Sequence, residues 1–492
     1  KTKTYCWKAD FSDMALASFE ELYKHMSSAE YSVFRGSTLP NELKILDLSN
    51  DYKINNPYQF AECTMSGVTG IKWPANLSGD IEKSLSNTKW PALTRMDTTE
   101  VEISCSNLFE KANFSALTDL KIGTIKEQYV FFNCVFSSLE NLNMDEANIS
   151  SQSCFQGANF NKLTHLTFNN KSQNGGYIFY YANFYELTEL NIKSDFVPKS
   201  TFEHATFEKL LKLDIANKEV MSNAFKSAEL PVVNEIVTGE TTTLGDNAFT
   251  EASLTGLSNA SWSGVKSISN AFYSVKVSND ANWDFPDLEI IDNSLAFAKI
   301  KTGSIKFSFP KLKKCVPGQY VYNRDGGVFE DSTSITSITF GQEMTEIYGN
   351  ATFKNLSCTI KFGAPSVVKI DNALDLTTIK NVRFLVPANL LKAYKEADEW
   401  SKVKDQIFAD NMATDDWTFI YVGNKSDNNI QLLDYLSTAS GNLTIPSTIG
   451  KLKVVDINPN FLTNKLGVTS ISIPTSVTRL DLSMFDGTNI SS

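Results

Sequence analysis

Very little in this sequence lends itself to polar catalysis. Among 492 residues there are only three histidines, His25, His165 and His204. No two are close in sequence, and none stands at metal-ligand spacing from a cysteine, so no local motif builds a zinc site. The seven cysteines, Cys6, Cys63, Cys105, Cys134, Cys154, Cys315 and Cys358, contain no Cys-x-x-Cys pair and are odd in number. They indicate no disulfide framework. Basic residues are outnumbered, 45 Lys and Arg against 56 Asp and Glu, for a net charge of −11 and a pI near 5.0. That balance argues against nucleic acid, which needs a basic face, and against an anionic membrane surface. No run approaches the roughly eighteen apolar residues of a membrane span, and no signal peptide is visible at Lys1. Walker and dinucleotide fingerprints are absent, so no cofactor is expected. Gly256-Leu257-Ser258-Asn259-Ala260 nearly spells a nucleophile elbow, but all three histidines precede Ser258, against the hydrolase order. Asn323-x-Asp325-Gly326 fails as a calcium loop, because its first and twelfth ligand positions would be Val321 and Ser332. The chain is not expected to be an enzyme, and no metal site is expected.

What is abundant is phenylalanine, 33 residues in a chain that is 42% apolar. It recurs in a unit reading Phe-x-x-Ala-x-Phe-x-x-Leu-x-x-Leu-x-Ile. The first copy is Phe109, Ala112, Phe114, Leu117, Leu120, Ile122. Later copies start at Phe155, Phe179 and Phe202, and the second reads Phe132, Cys134, Phe136, Leu139, Leu142, Met144, one residue short. Leu120, Leu142, Leu166, Leu190 and Leu213 follow at spacings of 22, 24, 24 and 23. A period of roughly 20–29 residues built on Leu-x-x-Leu-x-Leu is a leucine-rich repeat. One unit cannot bury its own apolar side chains, whereas stacked units can. The expected fold class is an α/β-type repeat solenoid, strand-rich, with a short helical or irregular convex side. Phe114, Phe136, Phe160, Phe184 and Phe207 read as its core. Cys134 occupies a position held elsewhere by Ala, and reads as a buried free thiol.

Organisation follows from where the repeat starts and stops. Residues 1–40 read as a helical cap, with Leu16, Phe19, Tyr23 and Met26 at helical spacing. Residues 41–385 carry the main array. Residues 386–411 read as a closing amphipathic helix of about five turns, with Leu391, Tyr394, Ala397, Trp400, Val403 and Ile407 on one face. Residues 412–492 restart the pattern as a second, partial array, at Leu443-Thr444-Ile445-Pro446 and Ile471-Ser472-Ile473-Pro474.

Asn247-Ala248-Phe249, Ala205-Thr206-Phe207 and Ile471-Ser472-Ile473-Pro474-Thr475-Ser476-Val477-Thr478 resemble the repeats of BspA-like leucine-rich repeat proteins. Val386-Pro387-Ala388-Asn389-Leu390-Leu391-Lys392-Ala393-Tyr394-Lys395 is similar to the closing helix of such proteins from Bacteroidetes. The resemblance covers most of residues 40–490. It implies an extracellular or surface-anchored protein with an adhesin-like role, binding an extracellular protein or glycan. A structural spacer presenting another part of a longer surface protein is the alternative. The repeat specifies no oligomeric state.

In Leu-x-x-Leu-x-Ile the apolar residues point inward and the residues beside them outward. This aligns Asp119 and Lys121, Asn141 and Asn143, His165 and Thr167, Glu189 and Asn191, and Lys212 and Asp214 in two adjacent columns. They form the candidate binding face, since solenoids commonly bind on an extended strand-lined surface. The competing reading is a solvated sheet surface, because the columns mix charge signs and carry no aromatic anchor.

Overall fold

A computed structural model describes residues 8–13, 34–49, 58–78, 81–317, 326–349, 351–371, 379, 381–410, 417–422, 427–435, 441–462, 465, 467–486 and 488–490. The chain winds as a strand-rich parallel β-solenoid of about 16 turns. One coil illustrates all of them. Val135–Phe136 is a two-residue strand, Asn141–Asn143 a three-residue strand and Asn148–Ile149 a two-residue strand, each separated from the next by a corner. Strands this short suffice because each residue pairs with its counterpart one coil away. Phe136 aligns with Phe160, Phe184 and Phe207, and Leu120 with Leu142, Leu166, Leu190 and Leu213. Alternation along each strand then sends the apolar residue in and its polar neighbours out. The leucine positions build two seven-stranded parallel sheets in succession, Arg95–Asp97 to Glu235–Val237 and Asn259–Ser261 to Ile407–Ala409.

The convex side is built from turns and short strands. Among the described residues α-helix is confined to Leu391–Glu396 and Asp398–Ser401. Most convex loops place two residues four apart in the left-handed region, as at Asn107 and Lys111, Tyr129 and Asn133, Tyr177 and Tyr181, and Ser200 and His204. Such a residue costs roughly 1–2 kcal/mol in this conformation. The cost is offset because the loop amides pair like a strand. Phe109 N–H donates to Val130 O at 2.8 Å and Lys111 N–H to Phe132 O at 2.7 Å, one coil on. The turn itself closes through Ala112 N–H to Phe109 O at 2.9 Å. Buried backbone groups must find partners, and here even the loops do so coil to coil.

Inside, two files of phenylalanine run along the axis. Phe114, Phe136, Phe160, Phe184 and Phe207 are fully buried and stack at 5.0–5.3 Å between ring centroids. The second file runs Phe109, Phe131, Phe155, Phe179, Phe202, Phe225. Its member in the second copy is Phe131 and not the expected Phe132, which is half-buried on the outside. The copy is therefore not shortened, since Phe131 precedes Cys134 by three residues as Phe109 precedes Ala112. Cys134 is buried and free, with its Sγ 2.9 Å from Phe109 O.

The expected five-turn helix is not continuous. Ala397 is extended at φ −71° and ψ 141°, ending one short helix and starting the next, and Ile407–Ala409 is a strand. The reason is the open edge of Phe384–Val386. A helix bonds within itself, whereas Ile407–Ala409 supplies the parallel ladder that edge needs. The helical spacing did mark the buried face. Tyr394, Trp400, Val403 and Ile407 are all buried. Trp400 packs edge-on against Phe362 and Phe384 at 5.4 and 5.1 Å and donates its indole N–H to Val368 O at 2.7 Å.

One continuous apolar core runs from Phe34 to Ile407, and a second spans Phe419 to Met484. The second contains an antiparallel pair, Trp417–Tyr421 with Asn429–Tyr435. Between them lies an ionic contact. The Arg383 guanidinium pairs with the Asp434 carboxylate, donates to Leu433 O at 2.9 Å and lies over the Phe408 ring. At the other end, bridges Asp10 to Thr38 and Thr38 to Thr64 already belong to the coil ladder. Leu16, Phe19, Tyr23 and Met26 of the expected cap helix lie outside the described residues, as does the faint calcium-loop motif around Asn323 and Asp325.

Candidate functional site

The strands Asp119–Lys121, Asn141–Asn143, His165–Phe168, Glu189–Ile192 and Lys212–Asp214 lie side by side in one sheet. Asp119, Asn141, His165, Glu189 and Lys212 align as one column, and Lys121, Asn143 and Thr167 with Asn191 as the other. Asp214 continues the second column and pairs in register with Val237. All ten sequence-selected residues thus share one outward face, half-buried or exposed, above fully buried leucines. Their polar groups engage one another from coil to coil. Asn141 donates to Asp119 at 3.0 Å, His165 lies 3.3 Å from Glu189, and Lys212 lies 3.3 Å from Glu235. Lys121 reaches Asp97 at 3.3 Å. Most of the charge on this face is locally matched.

The same pairing recurs elsewhere, with a lysine one coil after its acid. Asp47 with Lys72, Glu102 with Lys126, Glu186 with Lys209, and Asp287 with Lys311 are examples at 2.5–3.0 Å. Exposed pairs of this kind contribute about 0–1 kcal/mol each. They do fix which side chains remain available to a ligand.

A different constellation stands on the convex edge. Tyr181 and His204 occupy the same left-handed loop position in successive coils, and their rings stack at 4.4 Å with 2° between planes. Tyr180 meets Tyr181 edge-on at 4.5 Å and Tyr177 meets Tyr180 edge-on at 5.3 Å. Tyr181 is 49% exposed and Tyr185, on the adjoining strand edge, 37%. Beneath them Glu203 is buried, with Oε2 lacking a hydrogen-bond partner and Oε1 3.6 Å from Lys226 Nζ. Burial, with Tyr181 and Glu203 beside it, pushes the Tyr180 phenol up to about 12.

Compared with protein-family models and with curated protein sequences, the chain matches none of them. Assignment of function rests on its own surfaces. Among the described residues no three His, Cys, Asp or Glu side chains cluster to hold a metal, and no helix is long and apolar enough to cross a membrane. The crevice between the two cores, lined by Thr359, Leu385, Phe408, Thr418 and Leu433, is occupied by the Arg383–Asp434 pair itself.

The tyrosine group was not found by motif reading, which followed the inward positions of the repeat. Its signal was nonetheless present. Tyr177, Tyr180, Tyr181 and Tyr185 fall within nine residues, at outward positions where the preceding copy has Ser153, Gln156, Gly157 and Asn161. Aromatic residues at these positions add nothing to the inward stack, so they stand out against the polar and small residues of the preceding copy.

Proposed function

We propose that the chain is a non-catalytic recognition module of a BspA-like leucine-rich repeat protein, secreted or held at a cell surface, with an adhesin-like role towards an extracellular protein or glycan. The observation that carries this reading is the register of the leucine-bearing sheet. It sets ten outward side chains in two straight columns on a frame fully packed beneath them. A packed backbone frame confines the ordering cost at binding to the side chains themselves. The Ala-Phe turns and Leu-x-x-Leu-x-Ile strands support the family assignment, and the long coil ladder suits a protein that must present an extended surface.

The test is a binding screen of the full chain against extracellular matrix proteins and an array of oligosaccharides. The expected result is at least one ligand whose affinity falls tenfold or more on combining Lys121→Ala with Lys212→Ala. Ligands indifferent to every substitution on these columns would remove the face from the argument. One observation favours the spacer reading instead: the charges of the face are already matched between coils. A spacer predicts no ligand at all in the same screen.

A further inference from the structure

The convex edge around Tyr181 differs from the rest of the surface in chemistry. Most outward rungs are lysine–carboxylate pairs or amides, while here the rings of Tyr177, Tyr180 and Tyr181 gather with His204 of the next coil. One face of the Tyr181 ring is covered by His204. On its other side the preceding coil places Gly157 in the same column, which carries no side chain. The space that a Gly157 side chain would take holds the Asn133 carboxamide, whose Oδ1 lies 2.0 Å from the position of such a Cβ. On that side the Tyr181 ring, 49% exposed, therefore stands beside an amide and not beside another ring. Along the coil, Tyr181, Asn183 and Tyr185 alternate outward while Ala182 and Phe184 point in. Asn183 donates to Asn159 Oδ1 at 2.8 Å. A carboxamide pair joined by one bond keeps further donors and acceptors for another partner.

We infer that Tyr181, Tyr185 and the flanking Asn133, Asn159 and Asn183 form a binding site for a neutral saccharide, with a pyranose ring lying against the Gly157 side of Tyr181. A sugar ring has one apolar face of C–H groups and a rim of hydroxyls. It matches an exposed aromatic face bordered by uncharged amides that both donate and accept. A cation is the poorer fit. The four rings at Tyr177, Tyr180, Tyr181 and His204 touch one another at 4.4–5.6 Å and enclose no cage. Anionic glycans are disfavoured by the net charge of −11 and by Glu203 beneath the cluster. The unpartnered, buried Oε2 of Glu203 marks a polar group that this packing leaves unsatisfied. The site rests on reading the chain as a recognition module but not on the strand-lined columns.

The substitutions that test it are Tyr181→Asn and Tyr185→Asn. Both are chosen from the solenoid itself: Asn133 occupies the Tyr181 column in the same left-handed conformation, and Asn161 precedes Tyr185 in its column. The full chain and the double variant, matched for thermal melting, are applied to an array of neutral hexose and N-acetylhexosamine oligosaccharides. The same glycans in sialylated and sulfated form, and gelatin as a peptide probe, are printed beside them. The expected result is retention on neutral glycans, weaker retention on their anionic forms, and a loss of tenfold or more in the double variant. Tyr185→Phe should keep most of the binding, since the ring face is what a sugar uses. Retention on neutral glycans that survives the double variant but disappears with Lys121→Ala and Lys212→Ala overturns this site while leaving the recognition reading intact. Retention on gelatin alone, or on anionic glycans in preference to neutral ones, overturns the ligand class. No retention on any probe overturns the site.

Discussion

At the scale of single residues, the unusual feature is the number of non-glycine residues held at positive φ, two in most convex loops. Tyr58, Lys111, Tyr181 and Glu251 are not residues that favour such a conformation, so composition gave no sign of it. Inter-coil hydrogen bonds decide the backbone, and the side chains follow. Gly157, which precedes Tyr181 in its column at φ +67°, has a second constraint, because the Asn133 carboxamide lies over it. Gly157→Ala is expected to destabilise the chain by about 1–2 kcal/mol from the conformational term alone. A urea midpoint unchanged from the parent would show that Asn133 moves aside and the loop relaxes freely. Cys134 is the opposite case, read correctly because every other copy has Ala there. Its burial pushes the thiol far above its usual range, so little thiolate is present at any working pH. Iodoacetamide at pH 8 should leave Cys134 unmodified in the native protein and label it once urea is added, as peptide mass mapping would record. Rapid native labelling would mean that the coil around Phe109 opens readily.

At the scale of elements, the legible part was what repeats inward. The Leu and Phe positions named from spacing are buried and in register. The exception, Phe132 for Phe131, arose because two adjacent phenylalanines offer the same chemistry. The rule that the stacking ring precedes the small residue by three separates them. The segment after Pro387 shows a different limit. Helical spacing at Tyr394, Trp400 and Ile407 identified a buried face, but spacing cannot register that the neighbouring sheet edge needs a strand. The ion-pair rungs were legible in principle, as a lysine one period after each acid. They also set the pH response. The ammonium of Lys311, then the Gly264 N–H, hold Asp287 below its usual 3.8, and Lys313 holds Glu289 below 4.5. A carboxylate depressed in the fold stabilises above its unfolded value and loses that contribution as pH falls through the folded one. Lys311 and Lys313 are raised above 10.5 by the same pairs, and their contribution is lost as pH rises past those raised values. Melting temperature should therefore be level between about pH 5 and 10 and fall on both sides. Asp287→Asn with Glu289→Gln should flatten both limbs. An acid limb as steep as the parent's would place the sensitive groups elsewhere.

At the scale of the whole molecule, the two apolar cores meet through the Arg383–Asp434 contact and the chain that passes between Ala409 and Trp417. Trp400 belongs to the larger core, where it covers Phe362 and Phe384. Residues 1–410 are expected to fold alone, with a cooperative melt by circular dichroism. Trp400→Ala in that fragment should cost about 3–5 kcal/mol, the usual range for truncating a buried aromatic. Aggregation of the fragment beside a single cooperative melt of the full chain would mean that the second core is needed to complete the first. The antiparallel pair at Trp417–Tyr421 was not legible, because its apolar residues alternate as any strand's would, and direction is set by which edge is free.

The stacking of coils by backbone ladders also gives the protein a mechanical character. Force applied at the two ends is carried in series through every interface between coils, so the weakest interface gives way first and only the coils beside it lose a packing neighbour. Each coil then pays out its own chain. With a repeat of 22–24 residues in the best-ordered stretch, that is about 70–80 Å of slack at full extension. Pulled slowly, such a molecule lengthens in near-equal steps at near-constant tension. A tether with that response protects whatever bond it holds from sudden load.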